Sequence, residues 1–265
     1  MTDRASGPVL FARYAFPPNH YGYCGPDDAD GFFRSGVTGD DHGLRARARS
    51  FDGALPHLQL IADALDRSDP PDPLDLLDAR VVEAYWLGSA ALDQVTAESI
   101  RPTISAAFAG RCGPLFTDLS EALSAGALPH HSFVVFCIYP WVSMLGDPRR
   151  TAPAMRVLDR CRIRSGRVLS VVHDQAVVEC APLMWDDDTL ITAGPVVAEK
   201  VRTGIDGVGL TAQIRVGNQV ALHWDWVCDV INDDQRAMLD RYSGRHLALA
   251  NSMLAKRRLM AATHG

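Results

Sequence analysis

The sequence predicts an α+β protein: an N-terminal all-helical domain, then a small OB-like β-barrel, then a C-terminal helix. Three patterns carry this. Apolar residues recur at three- and four-residue steps from Ser50 to Ser124. Strand-like alternation appears on either side of His173-Asp174 and of Gly217-Asn218. Asn232-Asp233-Asp234-Gln235 then opens another helical stretch, with acidic residues where the helix dipole favours them. The boundaries fall at 1–155 for the helical domain with its N-terminal loop, 156–231 for the barrel and 232–265 for the final helix. With 265 residues, 47% of them hydrophobic, the chain can bury one large core or two modest ones, and two suit this arrangement.

The chain begins with an aromatic and proline cluster, ARYAFPPNHYGYCGPDDADGFF. Pro17, Pro18, Gly22, Gly25 and Pro26 argue against a regular helix, so an ordered loop is expected. Phe16, Tyr21, Tyr23, Phe32 and Phe33 offer too much apolar surface to remain in water. Within this loop His20, Cys24, Asp27 and Asp28 form a candidate polar site, set against a plainer role in which the aspartates start a helix and the tyrosines pack.

Helices follow. Pro56 suits a first turn, and Leu58, Ile61, Ala62 and Leu65 share one face before the break at 68–73. Leu74, Leu77, Val81, Tyr85, Gly88 and Leu92 mark the most strongly patterned helix. Further helices are expected over Ala97–Phe108 and Thr117–Ser124, with a turn at Cys112-Gly-Pro between them and a stop at Gly126. FVVFCIYPWVSML, introduced by Pro129-His130-His131-Ser132, is either a buried helix kinked at Pro140 or a central strand, and the helical segments before it and Pro129 at a first turn favour the helix. Adjacent histidines point apart on any regular element, so packing or capping is expected of that pair rather than joint metal binding.

A short helix over Ala152–Leu158 delivers Cys161 to the mouth of the first strand. His173-Asp174 and Gly217-Asn218 are read as hairpin turns, in a barrel of five or six strands. Should the hairpins pack together, Cys161 and His223 approach one another, and a thiolate with an imidazole can hold a transition metal. Arg160, Arg162 and Arg164 would depress the thiol's pKa if close, although on a strand they face away from it. Asp225 shares the strand face of His223 and is a candidate for orienting its ring. Cys228 is a candidate third ligand. Cys137 and Cys180 are assigned to packing.

The order Cys161, Ser165-Gly166-Arg167-Val168, then Val216-Gly217-Asn218 through Val220 to His223, resembles the small hydrogenase-assembly chaperones of the HypC/HupF type. The resemblance covers about residues 160–240. More loosely, the whole chain resembles an actinobacterial family associated with [NiFe]-hydrogenase gene clusters. The role implied is a carrier that holds iron bearing cyanide and carbon monoxide, an Fe(CN)2CO fragment, and passes it to the hydrogenase large-subunit precursor alongside other assembly proteins. Cys161 and His223 would then be the iron ligands. Ser165 stands where those chaperones have proline, and Asn218 where they have aspartate.

Two other functions stay open: an enzyme of cofactor assembly working through the Cys24 loop, and a metal-free scaffold. If the loop faces the barrel, Cys24 and Cys161 share one site. A formal net charge of −6 with only short basic runs argues against a nucleic-acid partner. The N-terminus lacks a secretory pattern and the longest apolar run, Phe133 to Leu145, is too short to span a bilayer, so no membrane role and a cytoplasmic location are expected. The six cysteines show no paired spacing, which leaves reduced thiols as the expectation.

Overall fold

The computed structural model describes residues 5–66, 75–108, 116–192, 194–211 and 213–263. The fold is α+β. Among the described residues every element before Arg164 is helical, and α1 (Gly7–His20) lies at the centre of the packing. Its Val9, Phe11, Tyr14 and Phe16 are all buried. The expected N-terminal loop is therefore a helix for most of its length. Pro17 and Pro18 lie in the last turn, where the missing N–H groups cost the ladder its final bonds instead of breaking its middle. The carbonyls of Pro17 and Pro18 accept from the Tyr21 and Tyr23 N–H groups and close the helix.

After α1 come α2 (Ala29–Thr38), α3 (Leu44–Ala48), α4 (Leu55–Leu65) and α5 (Ala79–Trp86). Pro56 occupies the first turn of α4, as its missing N–H favours. The helix read from Leu74 to Leu92 is shorter than its periodicity suggests. Asp78 caps its start, and Gly88 takes φ +88° just past its end, where a Cβ would stand 2.4 Å from the Tyr242 ring. Leu74 and the 68–73 break lie outside the described residues, as does the Cys112 turn. Helices α6 (Ala97–Phe108) and α7 (Phe116–Ser124) follow the sequence reading. The buried apolar run starts as α8 (His131–Phe133), widens into a π-turn over Val134–Ile138, and breaks before Pro140 into a 3-10 helix over Pro140–Met144. Next is α9 (Thr151–Cys161), which runs through position 155 and contains Cys161 as its last residue, so that Cys161 is helical and not part of a strand.

The sheet strands are β1 (Arg164–Val172), β2 (Gln175–Cys180), β5 (Val197–Arg202), β8 (Gln219–His223) and β9 (Trp226–Val230). Their hydrogen-bonded order, β1-β2-β5-β9-β8, closes on itself because β8 also pairs with β1. The β5–β9 closure rests on one parallel pair, Arg202 with Trp226. Two small hairpins, β3 (Met184–Asp186) with β4 (Thr189–Ile191) and β6 (Gly204–Ile205) with β7 (Val208–Gly209), sit outside this ring. The first predicted hairpin turn is correct: Val172 pairs with Gln175 across His173-Asp174. The second is not. Gly217-Asn218 forms a turn whose groups bond to Val168 of β1, while the hairpin bends at Trp224-Asp225, between His223 and its cross-strand partner Trp226. Gly166 meets a steric need, since a Cβ there would lie 2.4 Å from Val178 Cγ1.

The final helix, α10 (Asp233–Thr263), starts with the predicted reciprocal cap. Gln235 N–H donates to Asn232 Oδ1 at 2.8 Å, and Asn232 N–H donates to Gln235 Oε1 at 3.0 Å. It buries Leu239, Tyr242, His246 and Ala250. The larger apolar cluster joins the helices to Ala221, Trp224, Trp226 and Cys228 of the strand region, while a smaller one around Val168, Val178, Val220 and Val227 fills the ring. No helix among the described residues is long and apolar enough to cross a membrane.

Candidate metal centre

Three side chains from three elements converge where the helices meet the strands. His131 opens α8, Cys161 closes α9 and His223 ends β8. The Cys161 Sγ and one ring nitrogen of each histidine all lie within 4.8 Å of one another, and all three residues are buried.

The orientation of each ring follows from backbone groups that helices leave free. An α-helix normally uses the carbonyl of residue i to accept from the N–H of i+4. Pro18 has no N–H, so the Tyr14 carbonyl is released from the ladder, and it lies 2.7 Å from His223 Nδ1. A carbonyl only accepts, which makes Nδ1 the protonated nitrogen and leaves the lone pair on Nε2. That Nε2 is buried with no hydrogen-bond partner. Similarly, the Cys161 carbonyl is among the last of α9 and has no helical partner. His131 Nε2 donates to it at 2.8 Å, so the His131 lone pair is on Nδ1, met only by a long 3.3 Å bond from the Tyr85 hydroxyl. The Arg160 carbonyl, also at this helix end, accepts from Trp224 N–H at 2.7 Å and fixes the hairpin that carries His223. Both histidines thus donate one ring N–H to a main-chain carbonyl, an arrangement common in metal-ligating histidines.

Burial sets the protonation states. Desolvation holds His131 down at about 4, with the His223 ring well below its ordinary value. The Cys161 thiol is pushed up by burial and, secondarily, by the neighbouring Cys24. The arginines do not activate it. Arg160 and Arg164 both pair with Glu199, and Arg162 pairs with Asp159 at 2.9 Å. At neutral pH the cluster is two neutral imidazoles and a thiol. Such donors suit iron, zinc or copper and not magnesium or calcium, which require oxygen ligands. Exchange of the thiol proton for a divalent ion leaves a single net positive charge, cheaper to bury than two.

The cluster forms part of the wall of a cavity of about 360 Å³ whose other walls include Phe51, Tyr85, Trp86, Tyr139 and Trp141. The segment after α1 closes one side. Tyr23 stacks on Trp224 with ring centroids 4.2 Å apart, the Tyr21 hydroxyl donates to Asp225 at 2.6 Å, and Asn19 Nδ2 donates to the carbonyls of Cys24 and Pro26. Cys24 and Cys161 line the same cavity. Trp224 is held at φ +57°, a costly conformation for a bulky residue, in the turn beside His223.

The remaining candidates lie elsewhere. His20 is exposed and packs against Phe16 and Trp226. Asp28 caps α2 through Gly31 N–H and pairs with Arg47 at 2.6 Å, while Asp27 lines a separate surface cleft. Cys228 is buried on β9 with its thiol directed to the Trp226 carbonyl, and it is not in the cluster. Asp225 faces Tyr21 and Arg202 and does not orient His223; Tyr14 does. The described cysteines, Cys24, Cys137, Cys161, Cys180 and Cys228, are free thiols.

His131 is the ligand-type residue that sequence reasoning passed over. The two histidines do diverge, as expected. His130 caps α8 by accepting from Ser132 N–H at 3.1 Å, while His131 turns toward Cys161. The available signal was the second of two adjacent histidines, one residue beyond a helix cap and leading into an apolar run, which usually means core.

Fold and site together define an α+β protein with a buried His/Cys/His cluster facing an aromatic cavity. The chain belongs to a family of unknown function, DUF6390, which it matches over residues 3–257. Nothing among curated proteins or solved structures matches it.

Proposed function

We propose that this protein binds one transition-metal ion through His131, Cys161 and His223 and acts in metal-cofactor assembly. The observation that carries the metal reading is the His223 Nε2 lone pair, buried without a partner beside a thiol and a second imidazole whose tautomer also leaves a nitrogen lone pair available. A buried acceptor left unsatisfied costs about 1–3 kcal/mol, a cost that a bound cation removes. The role follows from the HypC/HupF resemblance. The cargo is iron bearing cyanide and carbon monoxide, the strand ring is an OB-like barrel, and the helical part meets the hydrogenase large-subunit precursor or other assembly proteins in the cytoplasm.

Infrared spectroscopy of protein purified anaerobically from cells expressing the neighbouring assembly genes tests that role. Cyanide and carbon monoxide bands in wild type that vanish in Cys161→Ala support it. Their absence, with bands present in an authentic chaperone control, removes the cargo and leaves the metal site to be judged separately. One observation favours a second reading, a metalloenzyme. The cavity of about 360 Å³ is within the size range of small-molecule sites.

A further inference from the structure

We infer that the cavity beside His131, Cys161 and His223 takes an uncharged organic molecule, with a flat apolar body and one donor atom that reaches the metal. This rests on the metal-centre reading but not on the identity of the cargo. Its first support is space. Three diatomic metal ligands, such as those proposed for the iron fragment and each somewhat larger than a water molecule's ~30 Å³, would fill only about a third of the cavity's approximately 360 Å³. The second is the character of the walls. Phe51, Tyr85, Trp86, Tyr139, Trp141 and Trp224 present ring faces and edges, which suit an aromatic or apolar body.

Charge narrows the class further. Among the described residues no lysine or arginine lines the cavity, and Asp52 is its one carboxyl. A phosphate or carboxylate carried on the body, away from the metal, would find no ion-pair partner on these walls. A cationic body would be opposed by the metal–thiolate unit, which keeps a net positive charge. A neutral molecule meets neither obstacle. The donor atom is required because three protein ligands leave at least one coordination position unfilled at a four-coordinate metal. His131 and Cys161 keep 6% and 8% exposure, consistent with a side open to the cavity, whereas His223 is wholly enclosed.

The test uses the full-length protein loaded with cobalt(II), whose visible absorption reports a change of ligand. Three probes share one donor ring: imidazole, 4-phenylimidazole and 4-(imidazol-4-yl)benzoate, whose carboxylate is too far from the ring nitrogens to chelate the metal. The expected result is that 4-phenylimidazole binds at least about tenfold tighter than imidazole, since burying a phenyl ring contributes that much or more, and that the carboxylate binds more weakly than 4-phenylimidazole. Trp141→Ala, at a half-buried wall position, should remove most of the phenyl gain and leave imidazole's affinity within about twofold. Equal binding of imidazole and 4-phenylimidazole would overturn the inference while leaving the metal site intact. So would a preference for the carboxylate, or a phenyl gain unchanged in Trp141→Ala. A wild-type protein that takes up no cobalt would overturn both.

Discussion

Lowering the pH from 7.5 to 5 should unfold the metal-free protein, through its buried histidines rather than its carboxylates. His57, His130, His131, His223 and His246 are all buried, and desolvation lowers the pKa of every one, to about 3 for His57 and His246 and about 4 for His131. In the unfolded chain each titrates near 6.5. The unfolded state therefore binds more protons below that value. The stability is fully present above pH 6.5 and is lost as pH falls toward the folded values. At pH 5 His57, His131 and His246 each shift the balance by about 2 kcal/mol, about 6 kcal/mol together, and His130 and His223 add in the same direction, which is comparable to the whole stability of a typical domain. Asp229 and Asp240 act in the opposite direction, because burial raises the pKa of each, but two carboxyls cannot offset five imidazoles.

Urea unfolding followed by circular dichroism at pH 7.5, 6.5, 5.5 and 5.0, with chelator present, measures this directly. We predict a midpoint that collapses between pH 6 and 5. His57→Phe provides an internal control. Neither ring nitrogen of His57 has a hydrogen-bond partner, and the ring sits among Tyr85, Phe108 and Phe133. The variant should be about 2 kcal/mol less sensitive to the same acidification. A wild-type stability that falls by less than about 2 kcal/mol between pH 7.5 and 5.0 would refute the reasoning.

Three other expectations concern the site and its supports. Metal affinity should rise about tenfold per pH unit between 6.5 and 8.5, because burial raises the Cys161 thiol pKa and binding must release its proton while the imidazoles are already neutral; a flat profile by competitive titration would show that the thiol is not a ligand. Pro18→Ala restores an N–H that competes with His223 for the Tyr14 carbonyl 2.7 Å away, and metal affinity should drop about tenfold with the circular dichroism spectrum unchanged; unaltered affinity would dismiss the proline's role. Gly166→Ala should cost about 1–3 kcal/mol in urea unfolding, because its Cβ would stand 2.4 Å from Val178 Cγ1 and 3.0 Å from the Glu179 carbonyl; a neutral result would mean that the strands can separate freely there.

Much of the fold was legible because local patterns dominate its ends. The Asn232–Gln235 capping box and the His173-Asp174 turn are both specified within a few residues, and both form as read. The errors occur where distant contacts overrule local preference. Pro17 and Pro18 suggest a loop, yet the aromatic face of α1 is buried on all sides and the prolines fall where the helix is ending. Gly217-Asn218 has the better hairpin composition, but Trp224-Asp225 makes the turn because Arg160 and Tyr23 hold Trp224 in place from outside the strands. The Cys161–His223 approach was expected from two strand-like segments, but Cys161 reaches His223 from the end of α9 and not from a strand. His131 was not expected there, since its place in the cluster depends on the packing of α8 against the end of α9, which no spacing along the chain encodes.

The central claim, a metal ion held by His131, Cys161 and His223, is tested most directly by elemental analysis of protein purified anaerobically, backed by equilibrium dialysis against iron(II), cobalt(II) and zinc(II). The account predicts one tightly held transition-metal ion per wild-type chain, and loss of that ion in each of His131→Ala, Cys161→Ser and His223→Ala while the fold persists. A wild-type chain that neither retains nor takes up any of the three metals, or one that binds equally well without Cys161, would contradict it.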